Sequence, residues 1–182
     1  LLLSSTVTTA RAEVPEQGFY IGIFGGGNLV LDDWDLYKVG DADVIPNTGA
    51  ALGVRLGGHF TYWLAMEAGL GVLPYTSDAD ESNIALSYNV DFLFHLFRGN
   101  WVPFIDVGGG AYHNISGDHG SDVDYQLHYG LGLRGMLTDW LALRLDVRHV
   151  LTDGSDLEDD MAVANNLEVT AGLDFYAWAK KK

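Results

Sequence analysis

Large apolar residues alternate with polar or glycine residues in about eight runs between Gly18 and the C-terminus. In the run 125–134, Tyr125, Leu127, Tyr129, Leu131 and Leu133 take the odd positions. Gln126, His128, Gly130, Gly132 and Arg134 take the even ones. A period of two is the signature of a strand with one face in an apolar medium. The pattern predicts strands over 18–30, 49–60, 64–73, 84–97, 102–113, 124–137, 141–150 and 166–178. Most reach the roughly 9–11 residues a tilted strand needs to cross a bilayer. Short links at 61–63, 98–101 and 138–140 alternate with long ones at 31–48, 74–83, 114–123 and 151–165. The reading is an all-β, eight-stranded antiparallel up-and-down transmembrane β-barrel, with both termini on the side of the short turns.

The faces test this reading. Leu52, Val54 and Leu56 alternate with Gly53, Arg55, Gly57 and His59. Met66, Ala68, Leu70 and Val72 alternate with Glu67, Gly69 and Gly71. Asp91 and His95 share one face of the next strand, Asp106 and Tyr112 one face of the following strand. Arg144, Asp146 and Arg148 then alternate with Leu143, Leu145 and Val147, as Glu168, Thr170 and Asp174 do with Val169, Ala171 and Phe175. A slip of one residue would put several charges into lipid, at about 2–4 kcal/mol for each mid-bilayer Arg. Eight strands leave only enough interior for side chains to fill, so inward charges must pair. The expected lumen network is Arg55, Glu67, Asp91, Asp106, Arg134, Arg144, Asp146, Arg148, Glu168 and Asp174. Arg55 and Glu67 lie at similar distances from the turn 61–63 and are expected to join Arg134 or Arg144. Strand number favours a structural polar plug over a gated pore.

Aromatic residues gather near the predicted strand ends. Phe19, Tyr62, Trp63, Trp101, Trp140 and Trp178 lie on the turn side, and Trp34, Tyr37, Tyr75 and Tyr125 on the loop side. Amphipathic rings favour headgroup levels, so two girdles are expected. Net charge is −15, which argues against nucleic acid as a partner. There is no cysteine, hence no disulfide and no thiolate metal site. Residues 1–12 read as the remnant of a signal peptide: Leu1-Leu2-Leu3 ends an apolar stretch, and Ala10-Arg11-Ala12 has the small-x-small form before cleavage. Residues 13–182 form the barrel domain on this reading.

Several letter patterns carry no chemistry. Gly130-Leu131-Gly132-Leu133-Arg134-Gly135 spells a dinucleotide fingerprint, but that motif needs a helix after it, and Thr138-Asp139-Trp140 is a turn. The histidines lack metal-ligand spacing, and no loop keeps the twelve-residue calcium pattern. The loops are nevertheless acidic, from Asp32 and Asp33 to Asp159 and Asp160. His149 and Ser155 resemble the His/Ser pair of outer-membrane lipid A deacylases, but their spacing is longer. No catalytic, cofactor-binding or metal residues are assigned, and no cofactor is expected.

The chain resembles the OmpA-like outer-membrane β-barrel family over about 13–178. The resemblance rests on Gly18-Phe19-Tyr20-Ile21-Gly22, on Leu131-Gly132-Leu133-Arg134-Gly135 running through Thr138-Asp139-Trp140 into Leu141-Ala142-Leu143-Arg144, and on the closing run 167–175. Thr170, Gly172 and Phe175 match the family's assembly signal, while Ala177 stands where it has an aromatic. The family's periplasmic peptidoglycan-binding domain has no counterpart in these residues. The resemblance implies a monomer in the cell outer membrane, with periplasmic termini. The implied partners are outer-membrane lipid, lipopolysaccharide and the barrel assembly machinery. The expected role is structural, with surface-exposed acidic loops and at most slow passage of small solutes. The alternatives are a lipid A deacylase-like barrel enzyme and a soluble lipocalin-like barrel; the latter would need an apolar lumen.

Overall fold

A computed structural model describes residues 12–31, 37–39, 42–44, 48–76, 82–115, 123–153 and 163–180. Its strands are β1 (Gln17–Val30), β2 (Tyr37–Val39), β3 (Ala42–Val44), β4 (Gly49–His59) and β5 (Leu64–Thr76), followed by β6 (Ser82–His95), β7 (Trp101–Asn114), β8 (Val123–Met136), β9 (Leu141–Asp153) and β10 (Val163–Lys180). Eight of them close into one antiparallel barrel, in the order β1-β10-β9-β8-β7-β6-β5-β4. β2 and β3 pair only with each other, a hairpin inside the long link 31–48 that the pattern did not predict. Every barrel strand follows an expected one. β5 runs on through Pro74 to Thr76, where the pattern predicted a stop at Leu73. The β4–β5 ladder ends at Leu52↔Val72, so the missing N–H of Pro74 breaks no rung on that side.

The period of two decides which residues enter the lumen. Arg55, Glu67, Asp91, Arg134, Arg144 and Asp174 are buried, while Leu56, Leu70, Val90, Leu131, Leu145 and Val169 stand exposed on the outer wall. The barrel thus has a polar interior and an apolar exterior, the reverse of a soluble barrel. Gly130, Gly132 and Gly135 serve packing. The Phe104 ring of β7 lies over Gly132, Asp106 Oδ1 lies against Gly130, and the Trp101 ring covers Gly135 on the outside.

Two of the three short connections use a threonine hydroxyl. Thr61 Oγ1 accepts from the Leu64 N–H at 3.1 Å, and Thr138 Oγ1 accepts from the Trp140 N–H at 3.3 Å. Phe19, Tyr62, Trp63, Trp101, Trp140 and Trp178 are all exposed around this end. Trp178 owes its place to a bulge. Phe19 pairs with Trp178 and Tyr20 with Tyr176, so Ala177 is the extra residue. The bulge keeps Tyr176 inside and turns Trp178 out beside Phe19, with ring centroids 6.0 Å apart. At the loop end, Tyr125 is 79% exposed, but Tyr75 is only 7% exposed and points inward, not into a girdle. It continues the inward series Glu67, Gly71 and Leu73 once β5 is extended past its expected end. Trp34 and the Tyr37 side chain lie outside the described residues.

Candidate functional site in the barrel lumen

The ten residues of the expected network all face the lumen and are all buried. On the turn side three guanidinium groups meet three carboxylates. Arg144 lies between Glu67, at 2.6 Å from Nη1 to Oε2, and Asp146, at 2.7 Å from Nη2 to Oδ1. Arg55 reaches Asp146 at 3.3 Å and Asp174 at 3.7 Å, but Glu67 only at 3.9 Å. Arg134 pairs with Asp174 at 3.1 Å. Glu67 therefore belongs chiefly to Arg144, although its own turn places it nearer in sequence to Arg55.

Aromatic rings complete this half. Arg134 lies over the Tyr20 ring at 4.5 Å, Arg144 over Phe104 at 4.8 Å, and Arg55 over Phe24 at 4.8 Å. Tyr20 donates its hydroxyl proton to Glu67 at 2.7 Å. Arg134 Nη1 faces both His59 Nε2, at 2.8 Å, and His95 Nε2, at 3.2 Å. A guanidinium only donates, so both Nε2 atoms accept and both rings carry their proton on Nδ1. Tyr20 and Tyr176 are members that the sequence reading missed. The signal was present, since both share the inward parity of Gly22 and Asp174.

The loop-side half is arranged around one cation. Arg148 Nε donates to Asp106 Oδ2 at 2.6 Å and lies 3.5 Å from Asp91 and 3.7 Å from Glu168. Asp91 is also bonded to His128 and to Asn89. His149, by contrast, sits on the outer wall, where its Nδ1 meets the Tyr129 hydroxyl at 2.8 Å. Ser155 lies outside the described residues.

The turn-side mouth is crossed by residues 12–16. The Glu16 N–H donates to Lys180 O on β10, and the Val14 N–H donates to Gly99 O in the β6–β7 connection, both at 3.0 Å. Asn100 Nδ2 donates to Ala12 O at 2.7 Å. Arg98 pairs with Glu16 while lying 4.1 Å over the Tyr62 ring. β7 is four strands from β1 in either direction, so this segment crosses a diameter. Eight strands about 4.8 Å apart and tilted about 40° enclose a ring about 16 Å across. Two extended residue steps from Glu16 to Val14 cover about 7 Å, and the hydrogen bonds at each end with the β6–β7 connection make up the rest. Ala12 and Val14 pack onto Tyr20, Met136, Ala142 and Tyr176, the inner lining of that mouth. The sequence carried no periodic signal for this strap, because it is too short to alternate.

A family model described as the outer membrane protein beta-barrel domain matches residues 1–175. The chain belongs to this family. It is an outer-membrane barrel protein, closed by eight antiparallel strands. Among solved structures it resembles Neisserial surface protein A, with a TM-score of 0.65 and 11% identity over 87% of this chain and 96% of that one. It also resembles the N-terminal barrel domain of Pseudomonas aeruginosa OprF, with a TM-score of 0.57 and 14% identity over 89% and 98% of the two chains. OprG of the same organism follows, with a TM-score of 0.54 and 14% identity over 88% and 97%. At these identities the likeness is one of fold. No curated protein sequence matches this chain.

Proposed function

We propose that this protein is a structural element of the outer membrane, with the short turns and both termini in the periplasm and the acidic loops outside. It stabilises the membrane as a rigid monomeric wall anchored by aromatic residues, in contact with lipid and lipopolysaccharide. The barrel assembly machinery inserts it, with Thr170, Gly172 and Phe175 of β10 as the recognised strand. Solute passage is slow on this reading, and no chemistry is performed.

The observation that carries the proposal is the lattice of Arg55, Arg134 and Arg144 with Glu67, Asp146 and Asp174 across the lumen. A solute would have to part buried ion pairs to pass, and the strap 12–16 lies beneath them. Buried pairs of this kind resist opening, because a separated charge there has no water to replace its partner. The acidic loops suit a surface facing solvent.

Single cysteines placed at Asp139 and at Asp159 test the orientation. An impermeant thiol reagent applied to intact cells should label the second and spare the first. The reverse pattern would refute the proposed topology. Liposome swelling with small sugars tests the closed lumen, and a rate like that of an open porin would refute it.

A further inference from the structure

The apolar outer wall of the barrel is not smooth. Across β4, β1, β10 and β9 it is indented by a notch of about 520 Å³, a volume within the range of small-ligand clefts. Ile23, Leu52, Leu143 and Leu173 form its sides, with Gly25 and Ala171 between them. The register explains the indentation. Gly25 pairs with Ala171 on one side and with Leu52 on the other, so two small residues meet where larger ones flank them. Ile23 pairs with Leu173, and Leu173 with Leu143, which closes the notch toward the turns.

Depth and charge say what fills it. The exposed ring pair of Phe19 and Trp178 marks the headgroup level on the turn side. In strands tilted about 40° each residue rises about 2.6 Å, so Ile23 and Leu173 stand about 10–13 Å above that pair and Gly25 and Ala171 about 16–18 Å. One leaflet supplies about half of the roughly 30 Å hydrocarbon core, so an acyl chain rooted at the ring pair ends beside Gly25 and Ala171. An unfilled hollow there would forfeit dispersion contacts that a chain restores. Lys180 ends β10 two residues beyond Trp178. It is exposed, and no described carboxylate pairs with it. Arg98, the other described cation at that rim, is paired with Glu16. A free ammonium at headgroup level attracts lipid phosphate.

We propose that this notch holds one anionic phospholipid of the turn-side leaflet, with an acyl chain against Gly25 and Ala171 and the phosphate at Lys180. Every lining residue is apolar or glycine, so the notch selects a chain by shape, and Lys180 selects the headgroup by charge. The acidic loops repel anionic headgroups from the opposite end. The site deepens the reading of the barrel as a membrane-stabilising wall, and it rests on that reading for which leaflet supplies the lipid.

Native mass spectrometry of the detergent-purified protein, titrated with phosphatidylglycerol or phosphatidylcholine, tests the site. The wild type is expected to retain one phosphatidylglycerol under activation that strips further lipids, and to prefer it to phosphatidylcholine. Ala171→Leu and Gly25→Leu fill the notch and should each weaken retention at least tenfold. The nearest atom to a Cβ at Gly25 is Cδ2 of Leu52, the far end of a flexible side chain, and heat-modifiable gel mobility confirms that each variant is folded. Val107→Leu, outward on β7 four strands away, should change nothing. Lys180→Gln should keep one lipid and lose the preference for phosphatidylglycerol. No retained lipid, equal retention of both lipids by the wild type, or retention unchanged by both notch substitutions would overturn the proposal. So would a wild-type dimer that Ala171→Leu converts to a monomer, which would put a second copy of the chain in the notch. These readouts are taken in detergent and do not depend on the orientation, which the cysteine labelling tests separately.

Discussion

Arg134 and Arg144 stand directly opposite each other across the β8–β9 ladder, both inward and both fully buried. Like charges so placed repel and weaken a sheet. The barrel resolves the conflict by sending the two guanidinium groups to different partners. Arg134 takes Asp174 of β10 and the ring nitrogens of His59 and His95. Arg144 takes Asp146 on its own strand and Glu67 of β5, on the far side of the lumen. The lattice therefore ties strands that do not neighbour one another.

Glu67→Gln removes one of the two carboxylates that hold Arg144. The expected cost is about 3–5 kcal/mol of unfolding stability if the lumen is dry, and less if water enters. Urea unfolding in lipid or detergent, followed by tryptophan fluorescence, measures it. A double-mutant cycle should give a larger coupling for Glu67 with Arg144 than for Glu67 with Arg55, in line with separations of 2.6 and 3.9 Å. Equal couplings would contradict the arrangement.

The strap makes a graded prediction. The Arg98–Glu16 pair is partly exposed, so Glu16→Ala should cost no more than about 1 kcal/mol. Val14→Asp places a charge against the lining of Tyr20, Met136 and Tyr176 and should free the segment. Limited proteolysis of the folded barrel should then cut near residue 14 in that variant and spare the wild type. Equal cleavage of both would show that the segment is not held across the mouth.

Gly132 is predicted to be intolerant of a side chain. A Cβ there would run into the Phe104 ring, which also packs against Arg144. Gly132→Ala should lower stability by about 1–3 kcal/mol, the usual cost of overpacking. Phe104→Leu added to it should recover part of the loss. If Gly132→Ala is neutral alone, the ring does not lie over that position.

Much of this was readable from alternation alone. Arg55, Glu67 and Arg144 could be placed inside because each is flanked by residues that only lipid would accept. The same rule failed for Tyr75, because the pattern ended the strand at Leu73 while the β5–β6 ladder runs on through Pro74↔Ile84 to Thr76↔Ser82. Partnership was less legible than direction. Glu67 and Arg55 share a hairpin, yet the closer ion pair of Glu67 crosses the lumen to Arg144, and a linear pattern holds no information on which side chains meet across a closed ring. The strap was invisible for a related reason, since its partners Gly99 and Asn100 are remote in sequence and are brought near only by closure of the barrel.

Planar-bilayer recording of the purified protein tests the closed lumen most directly. With the ion lattice intact and Val14 and Glu16 held across the mouth, the wild-type barrel should show no sustained open level, and Val14→Asp combined with Glu67→Gln should produce one. A stable, continuously open channel in the wild-type protein would contradict the account.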